Sequence, residues 1–347
     1  MSDFSLQISD WYRRNKRALP WRETNNPYFI WLSEIILQQT RVDQGMSYYL
    51  KFIQNYPTIK DLALADEQKV LNDWQGLGYY SRARNLHFTA KYILENYNGK
   101  FPKTHAEIIN LKGIGEYTAA AISSFSYGLH HAVLDGNVFR VLSRIFDIET
   151  PIDSPQGKKE FSTLAQELLP VKNSATHNQA IMEFGALFCT PKNPDCINCE
   201  ISVNCLAFQN KTIEKRPVKI GKIKIRKRFL NYFVLKNYTE IIISKRIEND
   251  IWKHLYEFPM IESDQELNDE QIVELTQKRY KKTPLKIIAT KKHILSHQHL
   301  FAKFIFLEIG DLKGIQLKKN EELIQKSNLH DFPIPRMIDR FLLENEI

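Results

Sequence analysis

The sequence predicts two domains, an all-α domain over residues 1–210 and an α+β domain over 229–347, joined by a basic linker at 211–228. Three observations predict this. The 347 residues suit two domains at roughly 100–200 residues each. Apolar residues in the first 210 positions recur mainly at spacings of three and four, as on one face of a helix. Beyond 229 the texture changes to short runs of Phe, Ile and Val bounded by Asn or Gly, as strands are. A hydrophobic fraction of 43% is ordinary for a packed globular chain and too high for disorder. No apolar stretch approaches the ~18 residues of a membrane span. Asp3 and Asp10 interrupt any signal-peptide reading of the start. A soluble, intracellular, cytoplasmic protein is expected, and nothing predicts an assembly larger than a monomer.

The elements follow in order. Trp11, Leu19 and Trp21 lead into the long apolar run Tyr28–Leu37, a buried helix by pattern. Further helical segments cover Leu62–Leu71, ended by Gly76 and Gly78, and Ala83–Leu94, ended by Asn98-Gly99. A helix-like segment begins near Thr104, and an alanine-rich helix (Ala119, Ala120, Ala121) comes after a glycine turn. In the second domain Phe229–Leu235, Glu240–Lys245 and Phe301–Ile309 read as strands. Asp269–Lys281 reads as a helix capped by Asp269, with Ile272, Val273 and Leu275 on one face.

Charge is unevenly placed. Between Lys211 and Arg228 nine basic residues face one acid, Glu214, and this stretch alone accounts for the whole net charge of +8. It reads as a solvated linker or as a connector that contacts a polyanion.

All four cysteines, Cys189, Cys196, Cys199 and Cys205, lie within seventeen residues, separated by six, two and five positions. Such concentration argues against scattered core thiols and against a disulfide framework. Pro191, Pro194 and Asn198 supply turns that let the chain point four thiolates at one centre. Zinc and a [4Fe–4S] cluster both accept four sulfur ligands. Zinc modules usually show two closely spaced pairs, whereas only one is present, so the cluster is preferred.

The run Leu111-Lys112-Gly113-Ile114-Gly115-Glu116-Tyr117-Thr118-Ala119 places two glycines around one aliphatic residue between two helices. It is a plain interhelical connection or a tight turn that points backbone N–H groups outward. The positive N-terminal end of the next helix would then grip a phosphate. Two carboxylates stand out. Glu34 lies among large apolar residues in Trp31–Leu37; burial would raise its pKa and suit it to act as a general acid, unless it reaches an ion pair at the surface. Asp135, in Leu134-Asp135-Gly136-Asn137, would cap a helix and stay ionised. Two carboxyl groups with separated pKa values are what glycosidic cleavage needs.

The cysteine spacing and the Gly-Ile-Gly hairpin, with an aspartate twenty residues after Gly115, resemble the helix-hairpin-helix DNA glycosylase superfamily that includes endonuclease III. Four further blocks look like its adenine-specific MutY family: Leu19-Pro20-Trp21-Arg22, Trp31-Leu32-Ser33-Glu34 with Leu37-Gln38-Gln39-Thr40, Gly76-Leu77-Gly78-Tyr79-Tyr80, and Leu134–Asn137. The resemblance covers nearly the whole chain. It implies hydrolysis of the N-glycosidic bond of adenine mispaired with 8-oxoguanine or guanine in double-stranded DNA, a step of base excision repair. It implies a [4Fe–4S] cluster on the four cysteines and a helix-hairpin-helix over about 104–127 with Lys112, Gly113 and Gly115 on DNA. Glu34 would act as acid and Asp135 as stabiliser of the cationic sugar, with Tyr117 and Asn137 lining the pocket. Arg17, Trp21 and Gln179 match pocket positions, while Gln39 and Tyr79 match residues that enter the duplex.

Bifunctional relatives carry a Schiff-base lysine where this chain has Tyr117, so a monofunctional glycosylase is implied. Residues 229–347 resemble a Nudix-like module through Ile251–Pro259 and His293–His299, without the glutamate-rich metal helix that a Nudix hydrolase needs. The lesion-reading loop would be Leu295-Ser296-His297, with Leu295 in place of the family's aromatic. A metal on His293, His297 and His299 is disfavoured. The alternatives are an endonuclease III-like glycosylase/lyase acting on oxidised pyrimidines and a non-catalytic iron–sulfur DNA-binding protein.

Overall fold

A computed structural model describes residues 3–221, 225–290, 292–345 and 347. Lys222 and Lys224 of the basic stretch lie outside these residues. The chain forms two compact units, one of residues 1–63 with 88–221, the other of 64–87 with 222–347.

In chain order the helices up to residue 210 are α1 (Asp3–Asn15), α2 (Pro27–Ile36), α3 (Val42–Asn55), α4 (Ile59–Leu64), α5 (Glu67–Asp73), α6 (Ser81–Tyr97), α7 (His105–Ile108), α8 (Glu116–Tyr127), α9 (Gly136–Ile145), α10 (Pro155–Leu168), α11 (Ser174–Leu187) and α12 (Leu206–Gln209). The expected apolar run becomes α2, started by Pro27 and by Asn26, whose side chain accepts from the Tyr28 N–H at 3.0 Å. From Ile30 to Ile36 every residue of α2 is buried, as a helix apolar on all sides must be. The segment expected over Leu62–Leu71 is two helices, because Asp66 accepts from the Gln68 and Lys69 N–H groups and starts α5 afresh. The first unit packs Ile8 and Trp11 of α1, Val138, Val141 and Leu142 of α9, and Ala180, Ile181 and Phe184 of α11 into one core.

In the second unit the strands are β1 (Arg226–Lys236), β2 (Glu240–Lys245), β3 (Tyr256–Glu257), β4 (Met260–Ser263), β5 (Lys286–Ala289), β6 (His293–Ile294), β7 (Gln298–Glu308) and β8 (Glu321–Gln325). The main path of the sheet is β3-β2-β1-β7-β5, with β4 paired to β1, β6 to β7 and β8 to β2. β1 and β7 pair in parallel from Arg226↔Gln298 to Lys236↔Glu308, and the other pairs are antiparallel. Helix α13 (Asp269–Tyr280) covers one face and α14 (Arg336–Glu344) the other. Leu230, Tyr232 and Val234 therefore pack toward Ile338 and Phe341, while Phe233 and Leu235 share a core with Ile272. Burial of both faces is why these strands read as continuous apolar runs rather than alternating ones. The cap of α13 is Asn268 rather than Asp269, in a reciprocal pair with Gln271.

Residues 64–87 bond to the β-sheet part of their unit. Glu67 lies 2.6 Å from His254 Nδ1, Arg84 Nη1 donates to the Lys253 carbonyl at 2.7 Å, and Asn72 Nδ2 donates to the His330 carbonyl at 3.0 Å. The basic stretch is less free than a linker reading implies. Buried Arg216 pairs with Asp147 and Glu149. Asp153 accepts from the N–H groups of Ile220 and Gly221, and Arg226 already belongs to β1. Arg228 is buried against Asp250, Glu262 and Gln298. At least three of its cations are therefore matched by acids distant in sequence.

Candidate active site

One cavity of about 190 Å³ in the helical unit is lined by Arg17, Trp21, Glu34, Tyr117, Asp135, Asn137 and Gln179. Seven of the expected site residues thus meet in one place, and each arrives by a local rule. Glu34 projects from α2, Tyr117 from the first turn of α8, and Asp135 caps α9. Glu34 is only 8% exposed, and its Oε2 accepts the Tyr117 hydroxyl hydrogen bond at 2.7 Å. Burial pushes the Glu34 carboxyl up to about 7; the Tyr117 hydrogen bond opposes this and the nearby Asp135 charge adds to it. Burial next to two acids keeps the Tyr117 hydroxyl protonated.

Asp135 Oδ1 accepts from the backbone N–H groups of Asn137 and Val138 at 2.9 and 2.8 Å, and Oδ2 accepts from Asn137 Nδ2 at 2.8 Å. Burial raises the Asp135 pKa, and these three hydrogen bonds together with Arg140 only partly offset it. Asn137 is itself held: Arg140 Nη2 donates to its Oδ1 at 2.8 Å and to the Gly185 carbonyl at 2.7 Å, and Arg140 Nε donates to the Cys189 carbonyl at 2.8 Å. Gly185 is a glycine for reasons of space, since a Cβ there would lie 2.7 Å from Asn137 Cβ.

Trp21 both lines the cavity and packs edge-on to Tyr49 at 5.1 Å, so its pocket and core roles coexist. Gln179 Oε1 accepts from the Tyr12 hydroxyl at 2.6 Å. Arg17 is not a free cation, because Glu183 takes its guanidinium at 2.6 Å and that of Arg22 at 2.7 Å. Burial alone would raise Glu183, but the two guanidinium groups outweigh it and hold the carboxyl at about 2. Arg22, Glu183, Tyr12 and Arg140 were not anticipated as site residues. Glu183 carried the same signal as Glu34, a carboxylate inside the apolar run Ala180–Leu187, four positions after Gln179.

The remaining expected residues lie elsewhere. Lys112, Gly113 and Gly115 are exposed at the turn between α7 and α8, outside the cavity lining. Gly113 has φ +82°, which favours glycine, whereas Gly115 is in extended backbone with open space beside it. The Lys112 ammonium lies 4.2 Å above the Phe88 ring. Gln39 and Tyr79 are exposed and have positive φ. Ser296 and His297 sit exposed in the turn between β6 and β7, with the Ser296 hydroxyl 3.1 Å from His297 Nδ1. Cys189, Cys196, Cys199 and Cys205 line a single apolar hollow with Phe184, Phe188 and Arg144. Among the described residues no group of three or more His, Cys, Asp or Glu is close enough to hold a metal ion. Nor is any helix among them long and apolar enough to cross a membrane.

Comparison with known proteins agrees with the two-part architecture. Residues 32–170 match the HhH-GPD superfamily of base excision DNA repair proteins, and residues 231–344 match the NUDIX domain family. An adenine DNA glycosylase from Buchnera aphidicola of Schizaphis graminum is 35% identical, with 98% of this chain and 97% of the relative covered. One from the Buchnera of Baizongia pistaciae is 36% identical, with 89% and 87% covered. The structure of a thermostable thymine-DNA glycosylase superposes with a TM-score of 0.56 at 29% identity, covering 60% of this chain and 95% of the other. With this likeness running from end to end, the chain belongs to the adenine DNA glycosylase family, an HhH-GPD helical domain followed by a Nudix-like one.

Proposed function

We propose that the protein is a monofunctional glycosylase that hydrolyses the N-glycosidic bond of adenine mispaired with 8-oxoguanine or guanine in double-stranded DNA. The observation that carries this reading is the meeting of Glu34, held near pKa 7, and Asp135 on one cavity. The adenosine leaves the stack, at a few kcal/mol, and enters the cavity. Glu34 is protonated often enough at neutral pH to give its proton to the five-membered ring of adenine, which then departs as a better leaving group. Asp135, fixed by three hydrogen bonds, stabilises the oxocarbenium-like sugar, and that cation in turn favours the ionised carboxylate. Glu34, now ionised beside Tyr117, activates the attacking water. Tyr117 stands where a lyase would carry its lysine and has no amine; Lys112 is not on the cavity wall.

The Gly113–Gly115 turn and the N-terminal end of α8 are read as a phosphate site. Tyr79, Gln39, Ser296 and His297 are read as groups that engage the duplex and its lesion. The four thiols share one hollow. Their spacing shows one close pair, Cys196 and Cys199, where zinc modules usually show two, and this favours a [4Fe–4S] cluster over zinc. Cys189, Cys196, Cys199 and Cys205 would hold it, and it would brace the loop to which Arg140 bonds.

The test is single-turnover incubation with duplexes carrying adenine opposite 8-oxoguanine, guanine or thymine, followed by alkali to reveal abasic sites. Excision opposite the first two is expected, without strand breaks before alkali. Glu34→Gln should abolish release and keep mispair binding; loss of binding as well would make Glu34 structural. Rapid nicking of abasic DNA that disappears in Lys112→Ala would reverse the monofunctional assignment. Brown protein with four irons per chain is expected, and a colourless zinc-loaded preparation would remove the cluster.

A further inference from the structure

The turn that carries Tyr79 is unusual in its backbone and in what lies beneath it. Gly76 and Gly78 have φ of +99° and +75°, and Tyr79 itself has φ +49°. A tyrosine in this region is uncommon and persists where its surroundings over-determine it. Two buried side chains do so from below. Trp74 Nε1 and Arg82 Nη2 both donate to the Gly78 carbonyl, at 3.0 and 3.2 Å, and the Arg82 N–H donates to the Tyr79 carbonyl at 2.9 Å. The Arg82 guanidinium lies 5.1 Å from the Trp74 ring centroid and 5.6 Å from that of Tyr79. Trp74 is fully buried and Arg82 9% exposed, whereas Tyr79 is 45% exposed. Burial lowers the Arg82 pKa to about 10 against an opposing contribution from Tyr79, so this cation gives up solvation to lie against the two aromatic rings.

We propose that Arg82 is a positioning residue: with Trp74 it forms a socket that presents the Tyr79 ring in one orientation, ready to stack against a base pair of duplex DNA. The inference rests on the proposed function for what the ring meets, and on the geometry alone for the socket. A pre-oriented ring loses little rotamer freedom on entering the stack, which is how a single exposed aromatic can contribute to affinity. A planar, delocalised cation suits the place between two rings better than a lysine ammonium.

Two measurements test it. In the DNA-free full-length protein, fluorine NMR of 3-fluorotyrosine should show one distinct Tyr79 line, assigned by its loss in Tyr79→Phe. Arg82→Met should move or broaden that line, and an unchanged line overturns the socket. In duplex binding with an adenine·8-oxoguanine mispair, Tyr79→Ala and Arg82→Met should each weaken affinity by about tenfold. The double variant should be no weaker than Tyr79→Ala alone; losses that multiply would mean that Arg82 touches DNA itself, and overturn the proposal. If Arg82→Met does not fold, Arg82→Lys serves in both arms with a smaller shift and a smaller loss expected, and wild-type behaviour in both overturns it. A wild-type protein that does not prefer the mispair over matched duplex would overturn the proposed function, leaving the fluorine measurement to decide the socket.

Discussion

Glu34 illustrates how a single position trades stability for chemistry. Its carboxyl rises from an ordinary 4.5 to about 7 because burial disfavours the charge. The folded protein therefore holds a proton there that the unfolded chain releases, and stability falls as pH climbs from about 4.5 to about 7, then levels off. That shift is worth on the order of 3 kcal/mol. Glu34→Gln should accordingly raise Tm more at pH 8 than at pH 4.5 in calorimetry, and an equal shift at both would argue against a buried ionisation. Activity has the same sign. The acid form of Glu34 is the proton donor, so single-turnover excision should decline as pH rises through about 7. The signal for Glu34 was present in the sequence, as one acid among large apolar neighbours. The partners that set its charge were not, because Tyr117 and Asp135 lie about eighty and a hundred residues away. Glu183 shows the limit of the same rule. An equally apolar setting gives a strongly acidic carboxyl once Arg17 and Arg22 face it.

Among the elements, α2 was readable from its apolar run Tyr28–Leu37, and α8 and α9 from the signals before them, the glycine turn and Asp135. What the pattern could not give was the distance between helices. Helices α9 and α11 approach closely at Gly185, whose missing side chain leaves room for Asn137. Gly185→Ala should push Asn137 and with it Asp135. A displacement near 1 Å at a reacting group costs about 10²-fold in rate, so excision should fall by that order while mispair binding changes little. A loss confined to binding would show that this contact does not act on Asp135. Lys112, in the turn before α8, should behave differently. Replacing it with alanine should weaken DNA binding and reduce its salt dependence, with the chemical step intact, as expected of a phosphate contact.

At the scale of the whole molecule, the change from helical to strand texture near 229 was legible, and so was the inventory of long strands. The fate of the basic stretch was not. Arg216 and Arg228 are neutralised by Asp147, Glu149, Asp250 and Glu262, residues that no local pattern connects to them. The two-residue strands β3 and β6 also left no periodic trace. The parallel alignment of β1 with β7 has a consequence for how the chain is made. The opening strand of the C-terminal domain waits for a neighbour that is synthesised some seventy residues later, and closing so large a loop early is entropically slow. During synthesis Arg226–Lys236 must stay sticky and half-satisfied until Gln298–Glu308 has been made. A nascent chain stopped before Gln298 should therefore show fast amide exchange across that stretch and a tendency to aggregate, both relieved once Glu308 has emerged.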